Sequence, residues 1–180
     1  MRVSFPGLVT TFFAGFLLTV SSFAVSNAQQ VYEPGDIQRV LFVDETQSVQ
    51  MKDNVASRKG SGNVVVSKQF YVFKGPRAEL RTKATLPEFQ FETDPGFDDP
   101  VYLFRFDVRS DRREIRVARG SGGLALMCIP KDHLIETTVK EIGNGQNQRK
   151  HYLLKPTMPL QPGEYCLSRR MSTCYDFGVD

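Results

Sequence analysis

The feature that most constrains the fold is an alternation of apolar and polar residues with a period of two. In YLFRFDVR, residues 102–109, four residues fall on one face of an extended chain: Tyr102, Phe104, Phe106 and Val108. The segment REIRVAR, residues 113–119, repeats the alternation after the polar turn RSDR. Such alternation is typical of half-buried strands. We therefore predict a β-hairpin over residues 101–119.

Further strands are predicted wherever β-branched or aromatic residues lie between Gly, Pro, Asp or Asn. These segments are IQRVLFVD, NVVVSKQFYVF, AELRTKA, EFQFET, GLALMCI, IETTVKEI and HYLLK. No segment has a convincing helical pattern, and only residues 45–57 are ambiguous. Short strands at this spacing predict an all-β fold, an antiparallel β-sandwich.

The N-terminal segment predicts export. Arg2 is its only charge, an apolar run covers Phe12 to Val20, and Ser26-Asn27-Ala28 has the pattern of a cleavage site. The run is shorter than the roughly 20 residues that a membrane-spanning helix needs. We expect a signal peptide over residues 1–28 and a single β-sandwich domain over residues 29–180. The expected location is periplasmic or secreted, with no transmembrane segment after cleavage.

The charge balance is mild. The chain has 23 Lys and Arg against 20 Asp and Glu, a formal net charge of +3. Such a balance does not favour nucleic acid as a partner.

The segment LQPGEYCL, residues 160–167, resembles the tyrosine corner of immunoglobulin-like and fibronectin-like sandwiches. The resemblance implies an immunoglobulin-like sandwich. It also implies that Leu160 fills the core, that Pro162 and Gly163 turn the chain, and that Tyr165 hydrogen-bonds back to the backbone.

The parity of the last two strands places two cysteines together. If Tyr165 and Tyr175 point inward, Cys166 and Cys174 share the outward face of adjoining strands, and we predict a disulfide between them. An exported protein meets oxidising conditions in which such a bond persists. Cys128 is left over. It is expected to be a buried apolar residue, to pair with Cys166 or Cys174 instead, or to link to a partner chain.

More broadly, the chain resembles a group of small exported bacterial β-proteins of no assigned function. The segments that carry the resemblance are FKGPRAELR, LPEFQF, RREI, PLQPGEYCLS and YDFGVD. This resemblance implies no activity.

No constellation of catalytic or metal-binding residues is evident. His133 and His151 lie outside recognised nucleophile motifs and are interpreted as surface residues. We predict no catalytic residues, no cofactor and no metal site. The segment ETDPGFDDP gathers acidic residues that fit an acidic surface loop, a calcium site or the carboxylates of a hydrolase; these are Glu92, Asp94, Asp98 and Asp99.

Five arginines cluster in the predicted hairpin: Arg109, Arg112, Arg113, Arg116 and Arg119. They fit either a solvated face with cross-strand charge pairs or a strip that binds anions. Acidic glycans, lipopolysaccharide phosphates and acidic proteins are the candidate ligands of such a strip.

The sequence therefore predicts a non-enzymatic binding or structural module of the cell envelope or the extracellular space. Its partner is expected to be an envelope or extracellular protein or a polysaccharide. The alternatives are an exported hydrolase with a carboxylate site near Glu92–Asp99, and an assembly subunit joined by strand addition or by Cys128.

Overall fold

The computed structural model describes residues 37–62, 66–94, 100–121, 124–127, 129–145 and 148–180. The predicted signal peptide, Cys128, Asp98 and Asp99 lie outside the described residues. Within the described ranges the chain forms β-strands and no α-helix. The strands are β1 (Gln38–Val43), β2 (Ser48–Gln50), β3 (Asp53–Val55), β4 (Ser57–Gly62), β5 (Val66–Lys74), β6 (Arg81–Thr82), β7 (Glu88–Thr93), β8 (Tyr102–Arg105), β9 (Asp107–Val108), β10 (Arg112–Ser121), β11 (Leu124–Met127), β12 (Leu134–Ile135), β13 (Thr137–Asn144), β14 (Lys150–Pro156), β15 (Gly163–Ser168) and β16 (Thr173–Val179).

The described strands form three sheets. Sheet 1 has the order β13-β14-β7-β1-β2, sheet 2 the order β12-β8-β15-β16-β3, and sheet 3 the order β11-β10-β5-β4. β9 extends sheet 3 beside β10, and β6 adds a short parallel pairing to β16. The other described pairs are antiparallel, so the predicted all-β, antiparallel architecture is confirmed and is compatible with a sandwich. The immunoglobulin-like form of the sandwich stays a prediction.

The first core lies between sheets 1 and 2 and is rich in aromatic rings. Phe177 of sheet 2 packs on Phe42 and Phe89 of sheet 1, with ring centroids 5.6 and 5.1 Å apart. Tyr165 stacks on the same Phe177 at 5.5 Å. Full burial of each such side chain contributes about 1.5–3 kcal/mol. This core therefore fixes how the last two strands pack on sheet 1.

A second core lies between sheets 2 and 3. Phe104 and Phe106 meet Phe73 and Ile115 of sheet 3, and Phe73 packs on Phe106 with ring centroids 5.1 Å apart. Sheet 2 is therefore buried on both faces and forms the middle layer of the molecule. A strand buried on both faces needs apolar residues at successive positions, as in Leu103-Phe104 and Cys166-Leu167.

The cysteines lie in this second core. The structure places Cys166 and Cys174 at disulfide distance, with Cα atoms 5.6 Å apart. Both side chains are fully buried. Both cysteines share the face that the sequence pattern assigned to solvent. The prediction that this face is exposed is wrong, because sheet 3 covers it.

The predicted strand over residues 102–109 divides at Phe106. β8 pairs within sheet 2, whereas β9 pairs with β10 in sheet 3. The backbone N–H of Phe106 donates to the carbonyl of Glu164 at 2.9 Å, at the point where the chain changes sheet. The predicted hairpin is therefore short, and its turn is closed by a hydrogen bond from Arg109 N to the Arg112 carbonyl at 2.8 Å.

A buried cluster of charges joins β10 of sheet 3 to β15 and β16 of sheet 2. Arg113 is only 3% exposed, and its guanidinium donates to the carboxylate of Asp176 and lies 3.8 Å from that of Glu164. Glu164 also accepts from Arg81 and, at 2.7 Å, from the backbone N–H of Ala78. The prediction that Arg113 belongs to a binding surface is wrong, because its side chain turns inward to neutralise two buried carboxylates.

We predict that Arg113→Met lowers the free energy of unfolding by about 3–5 kcal/mol, because it leaves the carboxylate of Asp176 buried without a cation and removes one of the two cations near Glu164. Urea unfolding measures the loss. Arg116→Met, on the outer side of the same strand, is the matched control and should cost less than about 1 kcal/mol. Equal losses in the two variants would contradict the assignment of Arg113 to the buried cluster.

The cysteine pair makes a second prediction. Alkylation of the unfolded, unreduced protein followed by mass analysis should find one free thiol, that of Cys128. Because the bond closes a short loop, replacing both Cys166 and Cys174 by Ala should remove about 2 kcal/mol of chain-entropy stabilisation, besides any packing loss. Three free thiols in freshly purified protein would refute the disulfide.

Candidate functional site

Four of the five predicted arginines lie on the outer face of sheet 3. Ile115 and Val117 point into the second core, so their neighbours on β10 point outward. The bulge between Arg116 and Ala118 places Val117 and Ala118 on the buried side and returns Arg119 to the outer side. Without this bulge, Arg119 would face the core.

Cations continue from β10 across the neighbouring strands. Directly paired residues of adjacent strands share one face of a sheet. Two rows therefore cross the outer face: Arg116–Phe70–Lys59 and Arg119–Lys68–Ser61. Lys74 lies opposite Arg112 in a further row. We call this surface the cationic face and define it as Lys59, Lys68, Lys74, Arg109, Arg112, Arg116 and Arg119.

One buried carboxylate organises one end of the cationic face. Glu114 accepts hydrogen bonds from Nε of Arg109 and from Nε of Arg112, each at 2.9 Å. Burial would raise the pKa of the Glu114 carboxyl, but the hydrogen bonds and charges of Arg112 and Arg109 outweigh that effect and lower this pKa below its usual range. Glu114 is therefore ionised at neutral pH. Arg112 also donates to Asp111 at 2.9 Å, so two carboxylates balance the charges of Arg109 and Arg112.

The other five cations of the cationic face are not neutralised by a described carboxylate. Among the described residues, no carboxylate lies within ion-pair distance of Lys59, Lys68, Lys74, Arg116 or Arg119. Nε of Arg116 is covered and has no hydrogen-bond partner in the described part of the chain. A partly exposed aromatic ring, that of Phe70, lies between Arg116 and Lys59. The arrangement can attract an anion and also offers it an apolar contact.

The residues of the corner segment serve the fold. The hydroxyl of Tyr165 donates to the carbonyl of Gln161 at 2.5 Å, and Leu160 is buried in the first core. Burial raises the pKa of the Tyr165 hydroxyl, and the nearby charge of Arg105 partly offsets this. The Pro162 carbonyl accepts a hydrogen bond from Arg105 at 2.7 Å, and a Cβ on Gly163 would lie 2.7 Å from Nε of the same arginine.

A cleft of about 900 Å³ lies beside β6 and Asp180. Several residues of its lining are bonded to one another in two groups: Asp44, Thr46, Gln47, Thr82, Arg81 and Asp180. Asp44 accepts from the hydroxyls of Thr46 and Thr82. Burial would raise the pKa of Asp44, but these bonds and those from the Thr46 and Gln47 backbone and the Gln47 amide hold it far below its usual range. Arg81 in turn bonds Asp180. The cleft therefore presents few free groups to a ligand.

A second cleft, of about 590 Å³, opens over the buried charge cluster. Arg113 and Asp176 lie at its base and are bonded to each other. The amide of Asn54 also donates to Asp176. The groups at the base are thus engaged in holding sheets 2 and 3 together.

The structure describes only part of the predicted carboxylate site. Glu92 is buried, Arg39 lies 3.7 Å from its Oε1, and Oε2 has no hydrogen-bond partner among the described residues. Asp94 accepts from Nε of Arg149 at 2.9 Å. Within the described ranges, no three or more His, Cys, Asp and Glu side chains are placed to hold a metal ion. Asp98 and Asp99 lie outside those ranges, so the hydrolase alternative stays a prediction.

His133 is less exposed than its polar sequence context suggests. Its side chain is 18% exposed, and Nδ1 lies 2.8 Å from the carbonyl oxygen of Arg105. Nε2 lies 3.9 Å from carboxylate oxygens of both Asp107 and Asp132. Sequence reasoning missed this arrangement because Asp107 is 26 positions away, on a strand whose pairing to β10 decides its position.

Comparisons with known proteins identify no relative. No family model, no curated protein and no solved structure matches the chain. In the part of the chain that the structure describes, no helix combines the length and the apolar character needed to cross a membrane.

The lowered pKa of Glu114 predicts a pH-dependent stability. A carboxyl whose pKa falls on folding stabilises the protein above its unfolded pKa, and this contribution disappears as the pH falls through the folded pKa. Glu114→Gln should therefore lower the free energy of unfolding by about 1–2 kcal/mol at pH 7. This loss should disappear when the pH lies below both the unfolded and the folded pKa of Glu114. Urea unfolding from pH 7 to pH 2 measures this difference. The exposed control Glu45→Gln should track the wild type throughout, and a deficit for Glu114→Gln that does not shrink between pH 7 and pH 2 would contradict the account.

Proposed function

We propose that this protein is an exported, non-enzymatic binding module whose cationic face holds an anionic partner in the cell envelope or outside the cell. The observation that carries the proposal is the set of five cations on sheet 3 without a carboxylate partner among the described residues. The predicted signal peptide places the module outside the cytoplasm, and the partner classes are a polysaccharide or an acidic protein of that compartment.

Energetics support a binding role for this face. Like charges on neighbouring strands repel one another, and such pairs lower the stability of a sheet. A face made only for solubility would intersperse acids among its cations. On this face the acids Glu114 and Asp111 pair with Arg109 and Arg112, whereas Arg116, Arg119 and Lys68 lie in adjacent rows without an ion pair to a described carboxylate. A bound polyanion would remove this repulsion and release its own counterions.

Geometry also favours binding over catalysis on this face. A flat sheet surface keeps its side chains at fixed spacings but does not enclose a substrate from water, which most catalytic mechanisms require. The partly exposed ring of Phe70 adds apolar contact area among the cations.

We predict that the protein binds dextran sulfate and does not bind neutral dextran. The triple variant Lys68→Ala, Arg116→Ala, Arg119→Ala should weaken binding about 10- to 100-fold, because each lost ion pair contributes about 0.5–1 kcal/mol. Biolayer interferometry at several salt concentrations measures the dissociation constant, and the affinity should fall as salt rises.

The matched control is Lys52→Ala, Lys83→Ala, Lys140→Ala. It removes the same three charges from exposed positions away from sheet 3. The control should lose less than threefold in affinity. Equal losses in the two triple variants would mean that net charge, and not the cationic face, determines binding, and no binding by the wild type would refute the proposal.

A further inference from the structure

A groove of about 260 Å³ lies at the edge of the cationic face, where β9 and the segment before β12 approach β5 and β10. Its chemistry differs from that of the rest of the face, because it also contains two carboxylates and an imidazole. We call it the His133 groove and define it by Lys68, Phe70, Arg116, Asp107, Asp132 and His133.

Two carboxylates and an imidazole converge in the groove. The carbonyl of Arg105 can only accept, so Nδ1 of His133 carries the proton of that 2.8 Å bond. The other ring nitrogen, Nε2, faces the two carboxylates. It lies 3.9 Å from Oδ1 of Asp107 and 3.9 Å from Oδ2 of Asp132. No hydrogen bond reaches either carboxylate from another described residue. The groove therefore suits a ligand that brings several adjacent donors.

The opposite wall of the groove is positively charged and would attract an anion. Lys68 and Arg116 line it, and neither has a carboxylate partner among the described residues. Arg109 also reaches the groove, but its Nε is bonded to Glu114. The ring of Phe70 lies beside Lys68 and Arg116. One ligand must therefore combine adjacent hydrogen-bond donors, a negative group and an apolar face.

We propose that the His133 groove binds one acidic sugar residue of a polysaccharide, an inference that rests on the proposed function of the cationic face. Neighbouring hydroxyls of the ring donate to the carboxylates of Asp107 and Asp132. The carboxylate of the sugar pairs with Lys68 and Arg116, and its C–H face packs on Phe70. An acidic peptide fits less well, because its N–H donors are spread along the backbone and its carboxylates would approach Asp107 and Asp132.

The surroundings favour a polymer over a free sugar. A second depression, of about 340 Å³, continues from the first and shares Asp107, Asp132 and His133 with it. Arg105 and Gly163 line its far side, so a following sugar unit has both space and a cation. In the other direction the rows of the cationic face continue toward Lys59. A chain of acidic sugars could thus extend on both sides of the groove.

Two polymers with the same charged group test the proposal: polygalacturonate, which carries ring hydroxyls, and polyglutamate, which carries none. The variant is Asp107→Ala, Asp132→Ala, with Asp132→Ala alone as a milder form at a position whose side chain is 82% exposed. Isothermal titration calorimetry at constant ionic strength measures both affinities. The charge-matched control is Glu45→Ala, Glu79→Ala, at exposed positions outside the groove.

The double aspartate variant should bind polygalacturonate at least about tenfold more weakly and polyglutamate more tightly than the wild type does. The control should tighten both slightly. Tighter binding of both polymers by the aspartate variant would overturn the sugar proposal, because the carboxylates would then act only by repulsion, and the cationic face account would stand. Failure of the wild type to bind either polymer would also overturn it, and the dextran sulfate result would then decide the proposed function alone.

Discussion

The structure depends on the burial of sheet 2 on both faces. β15 and β16 send Tyr165 and Phe177 into the first core and Cys166 and Cys174 into the second. A strand in this position has no solvent face on which to place a charge. The acidic residues that these strands do carry, Glu164 and Asp176, must therefore be neutralised within the protein.

Arg113 meets this requirement and thereby links the fold to the proposed site. Its side chain points inward from β10 of sheet 3 and contacts the carboxylates of Asp176 and Glu164 in sheet 2. Because side chains alternate along a strand, fixing Arg113 inward fixes Arg112 and Arg116 outward. The buried ion pair thus sets which arginines of the hairpin reach solvent. A shift of one residue in β10 would bury the cations that face outward and expose Arg113.

The sequence was sufficient to predict the class of the fold. Runs of β-branched or aromatic residues bounded by turn residues, such as EFQFET and HYLLK, marked strands that the structure contains as β7 and β14. Reasoning from the alternation of side chains failed where a strand is buried on both faces or leaves its sheet. It assumed one solvent face for each strand, so it placed Cys166 and Cys174 outside, and it assumed one sheet for residues 102–109, which the chain leaves at Phe106.

The candidate site was predictable only in part, for a related reason. Clustering along the chain identified Arg109, Arg112, Arg116 and Arg119, because neighbours in a hairpin stay neighbours in space. It could not separate Arg113 from them, since burial depends on the distant Glu164 and Asp176. Nor could it bring Lys68 or His133 to the same surface, because those positions follow from strand pairing between segments far apart in sequence.

The outer faces of sheets 1 and 3 differ in their charged residues. Sheet 1 also has an outer face, where Lys155 is bonded to Glu88 and Lys140 has no carboxylate partner among the described residues. Sheet 3 carries five such cations on one face, again among the described residues. The two outer layers of the molecule therefore differ in what they offer to an anion, although both belong to sheets of similar size.

The most direct test of this account is hydrogen–deuterium exchange of the protein with and without dextran sulfate. The account predicts that protection increases in β4, β5 and β10 and that β13 and β14 of sheet 1 stay unchanged. Protection confined to sheet 1, or an unchanged pattern at saturating dextran sulfate, would contradict the assignment of the cationic face as the binding surface.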